Sequence, residues 1–113
     1  LKTIIIYGEN IMTDLHGFKF VPIESMTDEL FKRASWESKA DWMQDYHLSD
    51  SDVKDITFPM HRDECINQDQ EIISDEIWNA LPNDVNKITV YMCGCPDSRI
   101  YFMTVDDFMK EIN

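Results

Sequence analysis

The sequence predicts an α+β fold: a single compact domain over residues 1–113, with a mainly antiparallel sheet of three to five strands and about four short helices. Three observations carry that expectation. The chain has 113 residues, enough for one domain and not for two. Alternating segments rich in Ile, Val, Phe and Tyr are separated by short apolar stripes at helical spacing. Ser and Thr stand where helix N-caps are needed, and the three Gly and four Pro fall where turns are needed.

The elements follow in order. Lys2 to Tyr7 is a β-branched run that reads as a strand buried on both faces, ended by Gly8-Glu9-Asn10. Phe18 to Ile23 alternates, stops near Pro22, and reads as a second strand or an extended segment. Thr27 caps a short helix with Asp28 and Glu29 in its first turn and Met26, Leu30, Phe31 and Ala34 as its apolar side. Ser35 reads as a second cap, opening a helix whose stripe is Trp36, Ala40, Met43 and His47. Ser49 to Asp55 is acidic and makes about one turn. Ile56 to Pro59 reads as a short strand that the proline closes. Asp63 to Gln70 has no period and reads as loop. Ser74-Asp75-Glu76 opens a helix that buries Ile77, Trp78 and Leu81 and stops at Pro82. Lys87 to Cys93 and Arg99 to Met103 alternate on either side of Gly94-Cys95-Pro96-Asp97-Ser98, which is a hairpin. Thr104 caps a last helix, with Asp107 three residues on and Phe108, Met109 and Ile112 as its apolar face.

Composition narrows the function. The balance of 22 Asp+Glu against 10 Lys+Arg gives a net charge of −12, which opposes direct binding to nucleic acid. A hydrophobic fraction of 43% is too high for a disordered chain. No apolar run is long enough to span a membrane. Ile4 to Ile6 is too short for the core of a secretion signal, and three cysteines cannot all pair, so the expected setting is the cytoplasm with reduced thiols. Glycine-rich phosphate loops, H-E-x-x-H and G-x-S-x-G are all absent. The expectation is a protein that is not an enzyme and carries no cofactor. One alternative is a small zinc-binding protein using His61, Cys65, Cys93 and Cys95, three sulfurs and an imidazole of the kind zinc accepts.

The acids are segregated. Asp63 to Asp84 holds seven acids and no Lys or Arg, and Asp41 to Asp55 holds five Asp against Lys54. The first stretch nominates Asp63, Glu64, Asp69, Glu71, Asp75 and Glu76 as partner-binding residues. In the second, Trp42 and Tyr46 lie off the apolar stripe beside Asp41 and Asp45, which nominates an aromatic hot spot ringed by acids. Carboxylates so arranged suit a basic protein partner, because they occupy the sites where phosphates would bind and speed encounter.

Ile6-Tyr7-Gly8-Glu9-Asn10-Ile11, followed by Asp14-Leu15-His16, resembles the strand-turn-helix opening of the barstar family of acidic intracellular ribonuclease inhibitors. The resemblance ends there and carries no inhibitory residue onto this chain. Size, acidity and pattern are also similar to immunity proteins of bacterial toxin systems, including contact-dependent growth inhibition. Together these imply an acidic inhibitor that occludes the active site of a basic toxin, a nuclease in the first instance. The alternative with the same physics is a nucleic-acid mimic that blocks a DNA-binding protein. The chain is expected to be a monomer, or a weak homodimer through an exposed Ile100-Tyr101-Phe102 edge.

Overall fold

A computed structural model describes residues 15–66, 69–92 and 99–112. The strand read over Lys2 to Tyr7, the barstar-like opening up to Asp14, and Cys93 and Cys95 lie outside the described residues. Four strands form one mixed sheet: β1 (Phe18–Pro22), β2 (Ile56–His61), β3 (Ile88–Met92) and β4 (Ile100–Met103), in the order β1-β2-β3-β4. The β1–β2 and β3–β4 pairs are antiparallel and the central β2–β3 pair is parallel. Four helices complete the chain: α1 (Asp28–Arg33), α2 (Lys39–Asp45), α3 (Asp75–Ala80) and α4 (Val105–Ile112). The α+β class and the antiparallel majority of the pairings agree with the sequence.

Each face of the sheet buries its own cluster. Val21, Phe58, Met60 and Val90 face α1, α2 and α3, whose Leu30, Phe31, Trp42 and Trp78 are buried against them. On the opposite face Phe108 of α4 sits edge-on to Phe18, Phe20 and Tyr91, with ring centroids 5.3, 5.4 and 5.9 Å away. These T-shaped contacts suit the ring quadrupoles. The result is three layers, with the sheet in the middle.

The caps explain where the helices start. Thr27, Ser38, Ser74 and Thr104 each accept a hydrogen bond from the backbone N–H three residues on. Ser35 does not cap α2; Ser38 does. Ser35 has φ +76° and closes α1 instead. Trp36 N–H donates to the Phe31 carbonyl and Ser35 N–H to the Lys32 carbonyl, the paired bonds of a Schellman motif. α2 ends the same way: His47 has φ +56°, Leu48 N–H donates to Met43 and His47 N–H to Gln44. The later start leaves Trp36 outside α2, and the helix buries a different side from the expected stripe. Trp42 becomes core, while Ala40 and His47 of the expected stripe are exposed.

Pro59 does not end β2, which runs on to His61. It ends something else. Phe20 N–H donates to Asn83 Oδ1 at 2.8 Å and its carbonyl accepts from Asp84 N–H at 2.9 Å, so Phe20 points its backbone away from β2. Its cross-strand partner Pro59 therefore points its backbone toward β3. Proline has no N–H to donate there. The parallel ladder stops after Ile56↔Ile88 and Thr57↔Thr89. Two buried threonines reinforce it: Thr57 Oγ1–H donates to the Ile88 carbonyl at 3.2 Å, and Thr89 Oγ1 lies 3.4 Å from the Thr57 carbonyl.

Candidate interaction surface

The acidic stretch folds back on itself. Arg62 to Glu64 form a 3-10 turn after β2, Ile66 and Ile72 make an antiparallel bridge, and Ile73 N–H donates to the Cys65 carbonyl at 3.0 Å. Ser74 then caps α3. Basic side chains lock this fold in place. Arg33 Nη1 donates to the carbonyls of Cys65 (3.1 Å) and Glu71 (3.3 Å). Arg62 donates to the Ile73 carbonyl and pairs with Asp75. Lys19 Nζ donates to the carbonyls of Trp78 and Leu81 at the end of α3, and Lys19 and Arg62 both lie against the Trp78 ring, 5.3 and 5.7 Å from its centroid. Burial holds the Lys19 amine below its usual range.

All six acids expected in this stretch, Asp63, Glu64, Asp69, Glu71, Asp75 and Glu76, are exposed. They occupy the 3-10 turn, the bridged loop and the first turn of α3. Asp75 is already paired with Arg62, so part of its charge is neutralised internally. The segment also carries exposed apolar side chains that the sequence reading missed. Ile66 is 39% exposed, Ile72 57% and Ile77 46%. Ile66 and Ile72 sit directly opposite each other across the bridge. Ile77 was expected inside, but α3 buries Trp78 instead and turns Ile77 outward. Isoleucine and carboxylate side chains thus share one exposed segment, the mix of apolar and charged groups that protein-binding surfaces use.

The second expected patch does not form. Trp42 is 0% exposed, with its ring 5.3 Å from Phe31 and 5.6 Å from Phe58, so it cannot meet a partner. Tyr46 is half-buried and packs edge-on to Trp36 and Trp42; burial, with the charge of Asp45, pushes its hydroxyl pKa up. Asp41 is half-buried and Asp45 exposed, which leaves two carboxylates without the aromatic hot spot.

The described half of the zinc set is otherwise engaged. His61 Nδ1 accepts from Asp63 N–H at 3.2 Å, which assigns the proton to Nε2, 3.0 Å from the His16 carbonyl. Both ring nitrogens are thereby used. Gly17, with φ +90°, allows this close approach, since a Cβ there would meet His61 Nε2 at 2.9 Å. Cys65 is buried, and desolvation pushes its thiol up to about 11 against the opposing pull of Arg33. It is a thiol, not a thiolate, at neutral pH, and so neither a ready ligand nor a nucleophile. Among the described residues no group of three or more His, Cys, Asp or Glu could hold a metal ion, and no helix is long and apolar enough to cross a membrane.

Comparison with protein family models, with curated proteins and with solved structures finds no match for this chain.

Proposed function

We propose that this chain acts by binding: it is a cytoplasmic immunity protein of a bacterial toxin system that occludes the active site of a basic, nuclease-type toxin. The observation that supports this most is the coincidence of acids and exposed isoleucines on the segment from Asp63 to Ile77. A nuclease must present cationic side chains to phosphates, and carboxylates are their natural competitors. The isoleucines favour a dedicated inhibitor over a nucleic-acid mimic, because a surface that only imitates a phosphate backbone has no use for apolar side chains. Short-range apolar burial then holds the complex, while the charge steers encounter.

The test is capture of the partner from the source cell, followed by titration of its activity. A basic partner inhibited at one-to-one stoichiometry is expected. Ile72→Ser should weaken the complex by about 1–2 kcal/mol, chiefly through faster dissociation. Glu71→Lys should slow association and make it less sensitive to salt. A partner bound equally well by both variants would show that this segment is not the interface.

A further inference from the structure

The place where β2 and β3 part company is a cleft. With the ladder stopped at Pro59, the carboxyl ends of two adjacent parallel strands diverge, and a cavity of about 290 Å³ opens there. In open sheets with parallel strands this is where ligands bind, because the divergence leaves a crevice that no side chain of the sheet itself can fill. The volume holds about ten waters, or a ligand of about ten non-hydrogen atoms.

The lining has three parts. Phe58, Met60 and Met92 give it an apolar side. Arg33 gives it a cation: its Nη1 is used on two carbonyls, but in a chain with 22 acids no carboxylate among the described residues lies within ion-pair distance of it, nor does any described residue accept from its other three N–H donors. Glu64 gives it an anion, also without an ion-pair partner among the described residues. A simple anion would be repelled by a chain of net charge −12, and a simple cation would leave Arg33 unmatched. A zwitterion answers both. We infer that the β2–β3 cleft binds a free α-amino acid with an apolar side chain, its carboxylate on Arg33, its ammonium on Glu64 and its side chain against Phe58, Met60 and Met92.

The experiment is an NMR titration of the full chain with L-methionine. Saturable shifts are expected at the amides of Ser35 and Met92, with half-saturation below about 1 mM. N-acetyl-L-methionine and L-methioninamide each lack one charge and should bind at least about tenfold more weakly, as should L-methionine to Glu64→Gln. Glu64 is exposed, so that variant leaves the fold intact, and Arg33→Gln, which also loses two structural hydrogen bonds, serves only as a second arm. No saturable shift up to about 10 mM overturns the assignment. So does equal binding of the N-acetyl derivative, since it would mean that Glu64 does not read an ammonium group.

Discussion

Trp42 carries a polar atom into the apolar core. Its Nε1–H is fully buried and has no acceptor among the described residues. An unsatisfied buried donor costs about 1–3 kcal/mol, which offsets part of what the ring gains by packing on Phe31 and Phe58. Trp42→Phe removes the orphan donor along with some volume and should change the unfolding free energy by less than about 1.5 kcal/mol. Trp42→Ala should cost about 3–5 kcal/mol. Urea denaturation separates them; equal losses would mean that Nε1 has a partner. Cys65 makes a different test. Its thiol keeps its proton to about pH 11 when folded, whereas an unperturbed thiol releases it near 9. Across that window the unfolded state binds fewer protons, so stability falls as pH rises, by about 1–2 kcal/mol. Tyr46 shifts in the same direction, so the difference between the wild type and Cys65→Ala isolates the thiol. A pH slope that Cys65→Ala leaves unchanged would remove Cys65 as its source.

Two of the three helices that share one face of the sheet, α1 and α2, close with a left-handed residue that is not glycine. Ser35 and His47 bear the strain of positive φ because the Schellman bonds and the packing of Trp36 and Leu48 hold them there. His47 is exposed, and His47→Gly should raise the unfolding free energy by about 0.5–1 kcal/mol in urea melts. A loss instead would show that the His47 side chain makes a contact worth more than the strain. The same positions mark the limit of what the sequence discloses. Thr27, Ser74 and Thr104 were legible as caps because acids follow each of them in the first turn. Ser35 and Ser38 were not distinguishable, since serine suits an N-cap and tolerates a left-handed turn, and only the backbone decides between them. Reading Ser35 as the cap put Trp36 inside the helix, and the stripe drawn from Trp36 left Trp42 off the buried side. In the acidic segment the charges were legible, being a count along the chain. The exposed isoleucines were not: Ile66 and Ile72 are set by a bridge that only tertiary contacts define, and Ile77 by the choice of Trp78 as the buried side of α3. Pro59 was legible as an interruption, but its target, the partner strand on one side alone, needed the register.

The molecule as a whole holds 22 acids against 10 bases, and ion pairs such as Arg62–Asp75, Lys87–Glu24 and Lys110–Asp106 leave that imbalance unchanged. Self-repulsion should therefore be a measurable part of its stability. Raising NaCl from low ionic strength to about 0.5 M should stabilise the fold by about 1 kcal/mol, a rise in Tm of about 4–8 °C for a chain of this size. A Tm that does not move with salt would mean that the acids are spaced too widely to feel one another.

The two-pair junction between β2 and β3 also bears on how the chain reaches its fold. The sheet is two antiparallel ribbons stitched at one point. The strands of the β3–β4 ribbon lie close together along the chain, Met92 and Ile100 being its facing ends, whereas the β1–β2 ribbon must bring its strands together across α1 and α2. Loop closure makes the first fast and the second slow. The stitch can form only when both ribbons exist, so it is the last step in and the first step out. Phe108 packs on Phe18 and Phe20 of one ribbon and on Tyr91 of the other, so opening the stitch also costs core packing, and the two ribbons are held together more by the layers that cover them than by the ladder between them.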